Sequence, residues 1–224
     1  MLTLSLLLAS CAHMPKSSEQ LNKHFESTVI VKVSKVIVDA DGEEKIVGWS
    51  GTGFSISRND EGSDVLTNKH VCSAGDSAKY TLTDHNGNKV GAKFIRVADH
   101  SDLCLLHTEA LIKPVKLAAH DARRGDHVMA VGAPHGVYPN FTDGIVSGYC
   151  PVDIAGPSFE VHLRAECTSI PIYPGNSGSP VFNDSDEVVG IMFAGRSDAE
   201  HMTAMVPVGL IYQFLDQSND MFDR

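Results

Sequence analysis

Short apolar runs separated by turn signals recur along the 224-residue sequence, without a long stretch of helical period. They cover residues 28–38, 46–56, 63–67, 78–83, 89–98 and 103–107 in the first half, and 127–131, 141–147, 159–164, 180–182, 188–193 and 203–207 in the second. This pattern predicts an all-β protein. A polar link at residues 116–125 divides the runs, so we expect two packed barrels, closed by an amphipathic helix at residues 207–215.

A serine between glycines is the strongest chemical signal in the sequence: residues 175–180 read GNSGSP, with Ser177 at the centre. A serine hydroxyl is a poor nucleophile at neutral pH, so it needs an imidazole to take its proton and a carboxylate to orient that imidazole. His70 ends one apolar run and Asp102 opens another. Each feature alone is commonly structural, but together they predict a catalytic triad of His70, Asp102 and Ser177.

The order His, Asp, Ser excludes the arrangements of α/β-hydrolases and subtilisin-like enzymes. Residues 66–71 (LTNKHV), 101–103 (SDL) and 174–181 (PGNSGSPV) resemble the three signatures of trypsin-like serine peptidases. The resemblance is greatest to the protease domain of bacterial high-temperature-requirement proteases and to glutamyl endopeptidases. Residues 51–54 (GTGF), 125–134 and 142–148 agree with it, so it extends over roughly residues 25–215. It implies two packed six-stranded β-barrels of the chymotrypsin type, with the triad in the cleft between them.

The same resemblance implies an exported serine endopeptidase that hydrolyses peptide bonds through an acyl-enzyme. The backbone N–H groups of Gly175 and Ser177 are then expected to form the oxyanion hole. Trypsin-like zymogens have an aspartate before the serine, which receives the newly cut amino terminus; here that residue is Asn176, so we expect an oxyanion hole that does not depend on zymogen cleavage. Two alternatives stay open: a catalytically inactive protease-fold binding protein, whose usual sign is a substituted triad residue, and an esterase.

By the same resemblance, the specificity pocket is expected to be formed by Pro171, Ile172, Met192, Phe193, Ala194 and Gly195. The position that is acidic in trypsin is Pro171, which argues against cleavage after Arg or Lys. Ile172 and Met192 replace the threonine and histidine of glutamyl endopeptidases. An apolar pocket for a small or medium side chain is predicted, although Arg196 or His201 could reach in and favour an acidic residue.

The first eleven residues are an apolar run that ends in LASC, which resembles the lipobox of bacterial lipoproteins. Cleavage before Cys11 would leave its thiol free for acylation; an ordinary signal peptide is the alternative. No Lys or Arg precedes the run, so the true start can lie upstream. We therefore divide the chain into a leader and tether (1–22), an N-terminal barrel (23–118) and a C-terminal barrel with its helix (119–224). We expect a periplasmic or extracellular protein whose only membrane attachment is Cys11.

Four further cysteines permit two disulfides in an exported protein. Cys150 and Cys167 flank a predicted hairpin and could face each other across its strands. Cys72 and Cys104 each lie two residues beyond a proposed triad member, so we expect them near one another. Buried free thiols are an equally good interpretation of that second pair.

The formal net charge of −10 argues against a nucleic-acid partner, because phosphate binding needs clustered Lys and Arg. The eleven histidines and the cysteines show none of the spacings that are typical of zinc sites. We therefore expect no metal and no cofactor, and a peptide or protein as substrate.

Overall fold

The computed structural model describes residues 17–156, 159–195 and 202–216, and it consists mostly of strands with one helix near each end. The first barrel contains β1 (Thr28–Val38), β2 (Glu44–Asn59), β3 (Gly62–Thr67), β4 (Lys79–Thr83), β5 (Lys89–Val97) and β6 (Cys104–Thr108). These strands close in the order β1-β2-β3-β6-β5-β4. Val29, Val31 and Val33 fill the barrel interior while Lys32 between them is exposed, as the two-residue period of a strand requires.

The second half contains β7 (Lys116–Leu117), β8 (His127–Gly132), β9 (Asn140–Gly156), β10 (Phe159–Thr168), β11 (Pro180–Phe182), β12 (Glu187–Gly195), β13 (Thr203–Pro207) and the helix α2 (Val208–Asp216). Strands β8 to β13 form a second closed six-stranded barrel, because β11 pairs with both β8 and β12. The prediction of two six-stranded barrels with a C-terminal helix is confirmed. The short strand β7 lies in the region that we assigned to the link and the first barrel, but it pairs with β12.

The two barrels pack against each other through one apolar cluster, which includes Phe54 and Leu66 from the first barrel and Phe182 from the second. Arg96 of the first barrel also holds the C-terminal helix. Its guanidinium lies 3.9 Å from the centre of the Phe214 ring and donates a 2.6 Å hydrogen bond to the Phe214 carbonyl. These contacts fix the relative position of the loops that enter the cleft.

A helix that we did not predict, α1 (Ser18–Glu26), precedes the first barrel. Residues 12–22 were expected to form a polar tether, but Ser17 and Gln20 form a capping box that starts a helix at Ser18. Near its end His24 is buried, with its ring stacked on Phe182 at 3.9 Å. The helix therefore belongs to the folded domain. Residues 1–16, which include Cys11, lie outside the described residues.

Both expected cysteine pairs form disulfides in the structure: Cys72 with Cys104, whose Cα atoms are 6.4 Å apart, and Cys150 with Cys167, at 5.7 Å. The free-thiol alternative for Cys72 and Cys104 is thus not the arrangement observed. Within the part of the chain that is described, no helix is long and apolar enough to cross a membrane.

Candidate active site

The pairing of β3 with β6 brings His70 and Asp102 together. Thr67 at the end of β3 lies opposite Cys104 at the start of β6, so the residues just beyond the two strands share one edge of the barrel. The buried Asp102 accepts a hydrogen bond from the His70 backbone N–H at 2.9 Å, and its other oxygen lies 2.7 Å from His70 Nδ1. A carboxylate at Nδ1 holds the proton there and leaves Nε2 as the basic nitrogen.

The loop that carries Ser177 is a tight turn whose shape depends on two glycines. Gly175 has φ +104° and Gly178 has φ +88°, values that favour glycine. A side chain on Gly175 would collide with the Ala133 carbonyl, and one on Gly178 with the Thr52 carbonyl. The GNSG pattern therefore has a steric reason in addition to any chemical one.

Thr52 of the first barrel connects this loop to the other half of the molecule. Its N–H donates to the Ser177 carbonyl at 2.7 Å, and its hydroxyl donates to the Gly175 carbonyl at 2.7 Å. The same hydroxyl oxygen accepts a 3.2 Å hydrogen bond from the Ala133 N–H. We did not single out Thr52 from the sequence, although it lies in the GTGF segment that supported the family resemblance.

Gly51 shows how closely Ser177 approaches the segment that follows His70. A Cβ built on Gly51 would lie 2.7 Å from a Val71 methyl carbon and 2.9 Å from the Ser177 carbonyl oxygen. The side chain of Val71, which follows His70, and the backbone of Ser177 therefore border the same small space. His70 and Asp102 form a hydrogen-bonded pair, whereas the half-buried Ser177 side chain makes no hydrogen bond with any described residue.

The backbone donors around Ser177 alternate between bonded and free. The Asn176 N–H donates to the Tyr173 carbonyl at 2.9 Å, and the Gly178 N–H donates to the Met192 carbonyl at 2.8 Å. The N–H groups of Gly175 and Ser177 have no hydrogen-bond partner among residues 17–156, 159–195 and 202–216. Two free donors on one tight turn suit an oxygen that acquires negative charge.

The residues expected to form the specificity pocket divide between two environments. Ile172 and Met192 belong to the apolar interior of the second barrel, and the Ile172 side chain lies against the backbone of Gly195, where a Cβ would collide with it. The Phe193 side chain is buried in the cluster between the barrels. Pro171 is half-buried and Ala194 lies in β12. Arg196 and His201, which could favour an acidic substrate, lie outside the described residues.

A buried carboxyl group, Glu166 of β10, is a second feature that the sequence did not reveal. It lies opposite Met205 and so points into the interior of the second barrel, where neither of its oxygens has a hydrogen-bond partner among the described residues. Burial, together with the negative charges of Asp121 and Asp126, raises the pKa of Glu166 to about 8. Within the described segments no group of three or more His, Cys, Asp or Glu residues could hold a metal ion.

The two-barrel fold and this site define a peptidase of the trypsin-like class, and comparison with known proteins agrees. The family described as "Trypsin-like peptidase domain" matches residues 51–191. The chain therefore belongs to the trypsin-like peptidase family.

Individual relatives come from bacteria. A protein of Pseudomonas fulva named "Probable periplasmic serine endoprotease DegP-like" is 34% identical over 183 residues, which cover 79% of this chain and 36% of the relative. A protein of Ectopseudomonas mendocina with the same name is 38% identical over 184 residues, which cover 79% and 36%. The chain spans about a third of the length of the curated relatives it matches. Among solved structures, an HtrA-type protease, AlgW, with a decapeptide is similar in fold, with a TM-score of 0.77 at 20% identity over 92% of this chain and 67% of that one.

Proposed function

We propose that this chain is an exported serine endopeptidase that cleaves peptide bonds through an acyl-enzyme. The observation that carries the proposal is the buried Asp102 bonded to His70 Nδ1 at 2.7 Å, beside a turn that presents Ser177 and two free N–H donors. Membership of the trypsin-like peptidase family supports it independently.

In the first step, Ser177 Oγ attacks the scissile carbonyl carbon while His70 Nε2 takes the hydroxyl proton. The carbonyl oxygen becomes an oxyanion and accepts hydrogen bonds from the Gly175 and Ser177 N–H groups. Losing one such donor typically lowers the rate by about 10²–10³. Asp102 stabilises the imidazolium that forms but keeps its own charge.

In the second step, His70 gives its proton to the leaving nitrogen, the C–N bond breaks and the acyl group remains on Ser177. A water molecule then repeats the sequence: His70 accepts its proton, the hydroxide attacks the ester, and the proton returns to Ser177 Oγ as the acid leaves. Asn176 has no carboxylate to pair with a new amino terminus, so this machinery works without zymogen cleavage.

The proposed substrate is a peptide with a small or medium apolar side chain before the cleaved bond. Ile172 occupies the space beside Gly195 and packs against the apolar cluster that contains Met192. Pro171 stands where trypsin has an acidic residue, so this position offers no carboxylate to an Arg or Lys side chain. Phe193, Ala194 and Gly195 would contribute their backbone.

Export is supported by the two disulfides and by relatives that are named periplasmic. We further propose that Cys11 is the lipidated residue of the mature chain. Intact mass measurement after expression in a bacterial host should show an acylated Cys11 as the first residue. A mature chain that begins downstream of Cys11, without lipid mass, would rule out the anchor.

The central test compares Ser177→Ala with Ser179→Ala. The second variant removes a buried hydroxyl of the same loop that has no hydrogen-bond partner within the described segments. Wild type and Ser179→Ala should react with a fluorophosphonate and digest an unfolded protein, whereas Ser177→Ala should lose about 10⁴–10⁶ in rate. Wild-type protein that binds the unfolded protein without reacting would be a binding module. Cleavage of esters but not of peptides would identify an esterase.

A further inference from the structure

Basic side chains are concentrated on three strands of an acidic protein. The chain has 28 acidic against 18 Lys and Arg residues. Strands β1, β4 and β5 nevertheless contain no Asp or Glu, and together they carry Lys32, Lys35, Lys79, Lys89, Lys93 and Arg96. The three strands are neighbours in the first barrel, in the order β1-β4-β5.

Strand alternation places four of these lysines on the outer surface. Val31 and Val33 of β1 and Tyr80 and Leu82 of β4 are buried in the barrel, so the residues between and beside them point outward. Lys32, Lys79, Lys89 and Lys93 are all exposed. We call these four residues the lysine face.

The register brings two lysines of this face close together, and the three strands themselves carry no acid between them. Tyr80 pairs with Ala92, so Lys79 and Lys93 are the next residues across the same two strands. Like charges in such positions destabilise a sheet. No member of the lysine face has an ion pair among the described residues, whereas Lys23, Lys45, Lys113 and Lys116 each have one.

The centre of the face is low and open. Lys32 pairs with Thr81, and Thr81 pairs with Gly91, so the middle row carries small side chains. No atom lies within 4 Å of a Cβ built on Gly91. The middle of the lysine face is therefore open to an approaching anionic surface.

Aliphatic side chains continue the same outer surface. Val36 and Ile46, which pair where β1 and β2 extend beyond the barrel, are 54% and 78% exposed, and Ile95 of β5 is 48% exposed. Glu109, which follows β6, is exposed and lies beside Gly91 and Lys93 at the β5 edge of this surface. The other nearby acids lie at its margins: Asp76 before β4, Asp84 in the β4–β5 turn, and Asp39, Asp41, Glu43 and Glu44 at the far end of the β1–β2 ribbon. Asp39 is paired with Lys45, and Asp84 is bonded to Asn86 and Asn88.

We propose that the lysine face docks the domain on an anionic phospholipid surface. Lysines that approach a charged bilayer together with exposed aliphatic side chains are the combination that a membrane interface accommodates. A nucleic acid would gain nothing from the aliphatic side chains. The proposal does not depend on peptidase activity, and it adds a binding surface to any anchor at Cys11.

The test uses the full chain with Cys11→Ala, so that no lipid contributes, and measures sedimentation with phosphatidylglycerol-containing and pure phosphatidylcholine vesicles. We expect binding to the anionic vesicles only, and weakening by added salt. Each Lys→Gln substitution on the face should lower the partition coefficient about five-fold. The matched control changes the paired residues Lys23, Lys45, Lys113 and Lys116 to Gln, which lowers the formal net charge of −10 by the same four units.

Equal losses in the two quadruple variants would overturn the proposal, as would no vesicle binding or a preference for DNA over vesicles. If the variant with all four lysines of the face changed does not fold, the single variant Lys79→Gln is tested instead. Removing one of two opposed lysines should raise the thermal midpoint and at the same time weaken vesicle binding. Vesicle binding that is unchanged in a folded Lys79→Gln protein also counts against it. Ser177→Ala should bind vesicles like wild type, so failure of the peptidase assignment remains distinguishable.

Discussion

The buried carboxyl of Glu166 should make the stability of the domain fall as the pH rises. Its folded pKa of about 8 is above the value of 4.5 expected for an unperturbed glutamate. Between these two values the folded state holds a proton that the unfolded state has released. Raising the pH therefore favours unfolding through this range, and the effect is complete above the folded pKa.

The size of the expected loss in stability follows from the interval between the unfolded and folded pKa values of Glu166. Each pH unit well inside it should remove up to about 1.4 kcal/mol from the free energy of unfolding. Between pH 5 and pH 7 the loss is on the order of 3 kcal/mol, a large fraction of the 5–15 kcal/mol that is typical of a domain. Glu166→Gln cannot ionise, so the variant should lose this contribution to the slope. The side-chain amide of this variant would also be buried without hydrogen bonds, which lowers the free energy of unfolding equally at every pH.

The assay is urea unfolding at pH 5, 6, 7 and 8 in a Ser177→Ala background, which prevents self-digestion. The free energies of unfolding of wild type and Glu166→Gln should converge or cross as the pH rises. Glu187→Gln is the matched control: a hydrogen bond from Lys116 lowers the pKa of Glu187, so its contribution is present at neutral pH and is lost on acidification. Parallel profiles for Glu166→Gln and the background protein would refute the argument that Glu166 is protonated when folded.

The site and its surroundings give further predictions. Thr52→Val keeps the shape of the side chain but removes its hydrogen bond to Gly175. On a peptide substrate we expect kcat to fall about 10–100-fold in Thr52→Val and to be restored in Thr52→Ser. Equal losses of kcat in both variants would contradict a role for the hydroxyl. Burial opposes the charged form of His127, but hydrogen bonds to Asp184 and Asp143 outweigh it and raise its pKa. His127→Gln should therefore destabilise the protein most below the ordinary histidine pKa of about 6.5, with the difference fading as the pH rises through the folded pKa; thermal midpoints that show no such pH dependence would contradict this. Ile172→Ala enlarges the proposed pocket and should shift kcat/KM toward peptides with larger apolar residues before the cleaved bond, whereas an unchanged preference would place the pocket elsewhere.

The local pattern of apolar and turn residues was sufficient to predict most strands. The bounds of β1, β11 and β13 match the apolar runs at residues 28–38, 180–182 and 203–207. Strand β9 extends from Asn140 to Gly156, well beyond the run at residues 141–147, since pairing with β10 continues it through a less apolar segment. The two-residue strand β7 exists only because β12 lies beside it, and no local signal could identify it.

Glu166 and the lysine face illustrate what sequence reading could not reach. The predicted run ended at residue 164, and a glutamate beyond it resembles a solvent-exposed residue until the β10–β13 register turns it inward. The lysines are scattered over three separate segments, none of which is a basic run. Only the order β1-β4-β5 brings them onto one surface. In both cases the relevant neighbours are distant in the chain.

The GTGF segment could be recognised in the sequence, but its structural role becomes clear only from its contacts with the second barrel. Gly51 and Gly53 flank Thr52 because neither has room for a Cβ: Gly51 faces Val71 and the Ser177 carbonyl, and Gly53 faces the Leu66 carbonyl. The two glycines let the Thr52 backbone approach the Ser177 loop closely enough to hydrogen bond with it. His70 and Asp102 are already paired within the first barrel, so what docking of the barrels adds is the position of Ser177. Any change that loosens this docking should reduce the rate while the His70–Asp102 pair stays intact.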